Sequence, residues 1–204
     1  QSVGMGKKLY EKFDYIKFLF EQADDILKKS VSKIILEGPK ESIDLTENTQ
    51  PAIFLVSYSI CEVIKKETEF NLYNAKFFAG HSLGEYSALA CSGCLNFEQT
   101  IKLLQSRGRF MQSAVPKGQG GMVAVLGSDI EVINKIIKNN EDNFKCYVAN
   151  DNSVGQVVVS GNINDLSKFS EELKKNKIKN LKLPVSAPFH CELMRSATEQ
   201  MIKE

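Results

Sequence analysis

The stretch Lys76-Phe77-Phe78-Ala79-Gly80-His81-Ser82-Leu83-Gly84-Glu85-Tyr86-Ser87-Ala88 decides how the fold is read. A short apolar run at 76–79 predicts a strand, Gly80 ends it, and the small residues of 84–92 predict a helix, giving the order strand, sharp turn, helix. Gly80 to Gly84 fits the pattern Gly-x-Ser-x-Gly, whose spacing has a steric cause. A serine at a strained strand-to-helix turn needs neighbours without bulk two residues before and two residues after it. At the start of the next helix, unpaired backbone N–H groups point back toward the serine. The Leu83 N–H is therefore a candidate donor to charge developing on an attacked carbonyl oxygen. Glycine and serine are common, so the bare pattern also fits a turn with no chemistry; the strand before it and the helix after it favour a nucleophile.

Upstream of the turn, Leu9, Phe13, Ile16, Phe20, Ala23 and Leu27 recur at alternating steps of four and three, so residues 8–29 read as one amphipathic helix. A second helix is expected to be capped by Asn48 or Thr49, with Pro51 near its first turn and residues 53–66 continuing it. Downstream, residues 97–115 form a helix with the stripe Phe97, Ile101, Leu104, Gly108, Met111 and Val115, which Pro116 and the glycines after it terminate. The pattern then changes. Residues 121–127 read as a strand, 129–139 as a helix, 144–149 and 156–160 as strands, 163–175 as a helix and 179–185 as a strand. This βαββαβ order is ferredoxin-like. It predicts an inserted subdomain at 118–185, flanked by 1–117 and 186–204, which belong to a larger α/β unit.

Composition narrows the classes. A net charge of +1 supplies no field for nucleic acid. Five cysteines, an odd number at irregular spacing, argue against a disulfide framework and for a reducing compartment. Cys91 and Cys94 have the spacing of a redox pair or half a zinc site, but with no second pair to complete a tetrahedral set they read as small apolar residues on a buried helix. No apolar run approaches the ~20 residues that span a bilayer, and no signal-type stretch opens the chain. A soluble protein with no membrane or nucleic-acid partner is expected. Arginine is scarce, with Arg107, Arg109 and Arg195 among 26 basic residues, and asparagine is frequent, a bias that fits an AT-rich genome.

A serine nucleophile needs a base, and the chain holds two histidines. His81 adjoins the serine, and consecutive residues leaving a strand point to opposite sides, so its ring is poorly placed to reach the Ser82 hydroxyl. That leaves His190, in the proline-bracketed run Pro184-Val185-Ser186-Ala187-Pro188-Phe189-His190, where a loop leaves the last strand of the insertion. Arg107 lies about 60° from the centre of the apolar stripe of its helix, whereas Arg109 points to the polar side. A half-buried guanidinium calls for a planar anion, best a carboxylate held bidentately. Position alone does not say whether that carboxylate belongs to the protein or to a substrate.

Taken in order, Gly80 to Ala88, Arg107-Gly108-Arg109-Phe110-Met111-Gln112, Asn152 to Gly161 and Pro188-Phe189-His190-Cys191 resemble the malonyl-CoA:acyl carrier protein transacylases. Thr49-Gln50-Pro51-Ala52 and the opening residues 1–5 fit as well, so the likeness covers essentially the whole chain. The resemblance implies an α/β-hydrolase-like larger subdomain with an inserted ferredoxin-like subdomain, and an active site in the cleft between them. It implies Ser82 as nucleophile, His190 as base, the Leu83 N–H as an oxyanion donor and Arg107 as the clamp on the malonyl carboxylate. His81, Phe189 and Asn152 are carried with these motifs as substrate-binding residues, and Phe189 with Leu83 accompanies malonyl rather than methylmalonyl selection.

The implied reaction is ping-pong transfer of malonyl from malonyl-CoA to the phosphopantetheine thiol of acyl carrier protein, by a monomer, without cofactor or metal. A plastid of the apicoplast type is the expected location, with the bacterial cytoplasm as the alternative. Three departures from the family stand out. Its Gly-Gln-Gly segment, source of the second oxyanion donor, lies upstream of Gln1, and its continuation lies beyond Glu204, so a truncated copy is expected. Val154 stands where a proline is common. The rival readings are a serine esterase or thioesterase, an acyltransferase domain of a polyketide synthase, and a carrier-docking module without catalysis.

Overall fold

A computed structural model describes residues 1–116, 118–185 and 187–204, the Tyr73 side chain apart. Lys117 and Ser186, which flank the expected inserted subdomain, lie outside the described residues. The chain is α/β and divides into two compact units, Gln1–Arg109 and Phe110–Glu204. Residues 110–116 and 187–204 thus fall in the second unit.

The α-helices described in the first unit are α1 (Lys7–Lys12), α2 (Asp14–Leu27), α3 (Val31–Glu37), α4 (Lys40–Ile43), α5 (Thr46–Glu67), α6 (Gly84–Cys91) and the start of α7 (Phe97–Ser113). The stripe Ile16, Phe20, Ala23 and Leu27 buries one face of α2, as its spacing dictates. It joins Val31 and Ile35 of α3, Phe54 and Leu55 of α5 and Leu104 of α7 in a single core. The Phe97 ring, at the start of α7, lies 5.6 Å from that of Phe54 and 5.2 Å from that of Tyr58. Each such buried side chain stabilises the fold by about 1.5–3 kcal/mol.

Three expectations fail here. The single helix at 8–29 is two, because Phe13 is extended (φ −123°, ψ 116°) between them. Lys12 at the end of α1 and Asp14 at the start of α2 suit the dipoles of those two ends, a signal the continuous apolar stripe conceals. Asn48 and Thr49 do not cap α5, which begins at Thr46. Their side chains instead donate back to carbonyls, Asn48 to Ser42 at 2.8 Å and Thr49 to Ile43 at 2.5 Å. Residues 76–79 run toward the serine turn without forming a ladder, since a strand needs a neighbouring strand and none is described in this unit.

The second unit carries one sheet, built from β1 (Gly120–Leu126), β2 (Cys146–Ser153), β3 (Gln156–Asn162) and β4 (Lys179–Lys182), with α8 (Ile130–Asn139) and α9 (Ile163–Lys175) between strands. Strand order is β2-β3-β1-β4 and every pairing is antiparallel, the ferredoxin-like arrangement that the βαββαβ order requires. Alternation assigns the two faces. Val123, Val125, Val157 and Val159 face Ile133, Leu166, Phe169 and Leu173 of the helices. Met122, Ala124 and Val158 face the other way, against Leu183 and Phe189. The chain closes with α10 (Arg195–Met201), whose Ala197 packs with Met194, Met111 and Val115.

Candidate active site

Ser82 occupies the left-handed region at φ 54°, a conformation that costs an L-residue of this kind about 1–2 kcal/mol and recurs where a side chain must be presented on a tight turn. The turn is closed by the N–H groups of Gly84, Glu85 and Tyr86, which donate to the carbonyls of His81, Ser82 and Leu83 at 2.9, 3.1 and 3.1 Å. The Leu83 N–H takes no part in these bonds and stands immediately before α6, where the helix dipole favours negative charge. The two glycines are not equivalent. A Cβ on Gly80 would lie 1.9 Å from the Gly84 carbonyl oxygen, whereas a Cβ on Gly84 meets nothing within 4 Å. Only the first is sterically obligatory, which corrects the expectation that both are.

Arg107 reaches this turn from α7. Its Nη2 donates to Ser82 Oγ at 3.3 Å and its Nη1 to Gln50 Oε1 at 2.6 Å, and the guanidinium lies 5.8 Å from the centre of the Tyr86 ring. Gln50 is 3% exposed and fixed in turn by its Nε2, which donates to Thr46 Oγ1 at 3.0 Å. Gly108 makes the approach possible. A Cβ there would stand 2.6 Å from both Glu47 Cα and Thr46 O, so α7 touches the first turn of α5 at backbone distance.

Burial lowers the Arg107 pKa, an effect opposed by the neighbouring Tyr86 and Glu85, yet no carboxylate of the described residues lies within ion-pair distance of the guanidinium. Its arms are met instead by Gln50 and the Ser82 hydroxyl. Gln50 went unrecognised as a site residue in the sequence. Its signal was the Thr49-Gln50-Pro51-Ala52 stretch, which reads as a helix start rather than as a support for an arginine.

Beside the turn, α5, α6 and residues 78–84 enclose a cavity of about 620 Å³ with an apolar wall that includes Ile53, Ile60 and Phe78. Ser87 and both Cys61 and Cys91 also line it, and the Ser87 hydroxyl is buried without a partner among the described residues. Burial pushes the Cys91 thiol up to about 12, with Cys61 beside it, so Cys91 is a poor thiolate. Cys94 is exposed beyond the end of α6, contrary to its reading as a residue of a buried helix.

Of the remaining expected site residues, His81 is exposed next to Ser82. The other three lie in the second unit. His190 is exposed and, like Ser82, left-handed (φ 57°); Phe189 is half-buried against Met122, Ala124 and Val158. Asn152 sits exposed on the β2–β3 hairpin, where its side chain donates to Gln156 at 3.3 Å.

The site is thus a serine on a left-handed turn ahead of a helix, with a guanidinium at its hydroxyl. Residues 1–204 match the acyl transferase domain model along their whole length, and the chain belongs to that family. It is 41% identical over 203 residues to a malonyl CoA-acyl carrier protein transacylase of Bacillus subtilis (strain 168), an alignment that covers 98% of this chain and 63% of the relative. To the enzyme of that name from Haemophilus influenzae it is 40% identical, covering 98% and 64%.

Among solved structures, an acyl-carrier-protein-S-malonyltransferase of Bartonella henselae superposes with a TM-score of 0.94 at 40% identity, covering 100% of this chain and 65% of that one. A malonyl-transacylase in complex with its type II polyketide acyl-carrier protein superposes with a TM-score of 0.92 at 36% identity, covering 98% and 64%. The chain therefore spans a little under two thirds of the length of these relatives.

Proposed function

We propose that the protein transfers a malonyl group from malonyl-CoA to the phosphopantetheine thiol of acyl carrier protein through a malonyl ester on Ser82, supplying fatty acid synthesis. The observation that carries this reading is the Arg107 guanidinium, held by Gln50, 3.3 Å from the Ser82 hydroxyl and without an ion-paired carboxylate among the described residues. A plain esterase has no use for a cation there, whereas an acyl group ending in a carboxylate needs one.

In this reading His190 accepts the Ser82 proton as Oγ attacks the thioester carbonyl, and the Leu83 N–H stabilises the oxyanion. The tetrahedral intermediate collapses with cleavage of the C–S bond, and His190 returns the proton to the departing coenzyme A thiolate. The carrier thiol, deprotonated by His190, then attacks the ester, the C–O bond to Ser82 breaks and His190 returns the proton to Ser82 Oγ, which makes the kinetics ping-pong. The sequence of steps calls on no cofactor. His81, Phe189 and Asn152 contact the substrate, with Phe189 and Leu83 favouring malonyl over its methylated analogue.

The wider assignments belong to the same proposal. Residues 1–117 and 186–204 form an α/β-hydrolase-like subdomain with 118–185 inserted as the ferredoxin-like one, and the protein acts as a soluble monomer in a reducing compartment, a plastid or the bacterial cytoplasm. Among the described residues no helix is long and apolar enough to cross a membrane. Mass spectrometry of the full-length protein incubated with malonyl-CoA tests the central claim. A malonyl adduct on the Ser82 peptide, discharged by carrier protein, is expected; malonate released to water with no transfer would identify a thioesterase instead.

A further inference from the structure

We infer that Ser160 and Tyr147, cross-strand partners on β3 and β2, are positioning residues that seat the turn bearing His190; the inference rests on the proposed role of His190 as base. Ser160 is fully buried, and its hydroxyl donates to the Phe189 carbonyl at 2.6 Å, one residue before His190. Tyr147 lies directly opposite Ser160 in the ladder, so the two side chains emerge on the same face. The Tyr147 hydroxyl donates to Glu192 Oε2 at 2.6 Å, two residues after His190. Lys145 Nζ reaches the same oxygen at 3.1 Å. The backbone just before the histidine and the side chain two residues after it are thereby both anchored to the sheet.

The third strand of this face completes the seat. A Cβ on Gly120 of β1 would stand 2.5 Å from Pro188 Cδ, so this glycine leaves the space that Pro188 fills. Cys191 Sγ closes the turn by donating to the Pro188 carbonyl at 3.0 Å, and the Phe189 side chain packs on Met122, Ala124 and Val158 of the same face. The turn needs such holding. His190 is left-handed, which a non-glycine residue keeps only when its surroundings over-determine the backbone. A ring on such a turn loses its aim when either anchor goes, and a misplacement of about 1 Å in a catalytic group costs on the order of a hundredfold in rate.

The test compares Ser160→Ala, Tyr147→Phe, the double variant and His190→Ala in the full-length protein. Three readouts are followed: kcat and KM for malonyl-CoA across pH, the rate at which diethyl pyrocarbonate modifies His190 (read on its peptide by mass spectrometry), and the melting temperature. The expected result for each single variant is a kcat lower by about tenfold to a hundredfold, with KM unchanged, an altered pH profile on the side set by the base, and a changed modification rate at His190. Ser160→Thr, which keeps a hydroxyl, should recover part of the loss.

Folded Ser160→Ala and Tyr147→Phe proteins with wild-type kcat, pH profile and His190 modification would overturn the seat while leaving an inactive His190→Ala to support the base. Wild-type turnover in His190→Ala would instead overturn the base, and the modification rates would still decide whether the two anchors hold the ring. A fall in melting temperature with kinetics and modification unchanged assigns Ser160 and Tyr147 to stability alone and likewise overturns the inference.

Discussion

Arg107 and Ser82, 25 positions apart, share a hydrogen bond of 3.3 Å, and the second arm of the guanidinium is taken by Gln50 rather than by an acid. Ser82, the proposed nucleophile, and Arg107, the proposed clamp, are therefore joined through side chains of α5, α7 and the turn before α6. Replacing Arg107 with Ala removes charge-assisted hydrogen bonds worth about 1.5–3 kcal/mol, roughly ten- to a hundredfold or more in rate. That loss should appear in kcat/KM for malonyl-CoA and be largely absent for acetyl-CoA. Steady-state kinetics with the two thioesters checks it, and an equal fall for both would remove the clamp.

Gln50→Glu probes the same site by adding a charge. A carboxylate at this buried position would ion-pair with Arg107 and compete with that of the substrate, so KM for malonyl-CoA should rise about tenfold or more, on the scale of a lost charged hydrogen bond. Gln50→Leu should show a different defect. It leaves a buried guanidinium arm unsatisfied and lowers stability by about 1–3 kcal/mol, measurable by denaturant unfolding.

Three glycines make a steric series. Gly108→Ala and Gly80→Ala each drive a methyl group into backbone, at 2.6 and 1.9 Å respectively, and overpacking of this kind costs about 1–3 kcal/mol or more. Both should lower the melting temperature and reduce Ser82 labelling. Gly84→Ala has open space and should remain close to wild type in stability. A strongly destabilised Gly84→Ala would mean that Gly84 is packed as tightly as Gly80.

The Glu192 carboxylate is held below its ordinary range by the hydrogen bond from Tyr147, then by Lys145. A pKa depressed on folding means stability that is present above the unfolded value and is lost as pH falls through the folded one. The group is exposed, so the effect is small. Melting temperatures recorded from neutral pH down to about 3, a unit below the free glutamate value, should converge for wild type and Glu192→Gln at the acid end and separate above it. A constant offset at every pH would assign Glu192 a role unrelated to its charge.

The parts of this molecule legible in the sequence are those that local rules dictate. The stripe from Phe97 to Val115 marked α7, the βαββαβ order of short segments marked the sheet of the second unit, and glycine flanking marked Ser82. What local rules miss depends on neighbours distant in the chain. Gln50 reads as an ordinary helical residue until Arg107 is placed beside it, which Gly108 permits by its lack of a side chain. Residues 76–79 have strand composition, yet strand structure is a property of pairs. Phe13 lies on the apolar stripe and still breaks the helix, because the charges at Lys12 and Asp14 suit two helix ends and periodicity does not register them.

Ile60, which lines the apolar cavity next to Ser82, is 46% exposed, and Phe77, the residue before the cavity's Phe78, is 89% exposed. For anyone purifying this stretch of polypeptide by itself, the practical matter is stickiness. A greasy surface of this sort brightens hydrophobic dyes and gathers copies of itself as concentration rises. A mild detergent in the buffer, or charged residues at Phe77 and Ile60, should keep such a preparation dispersed.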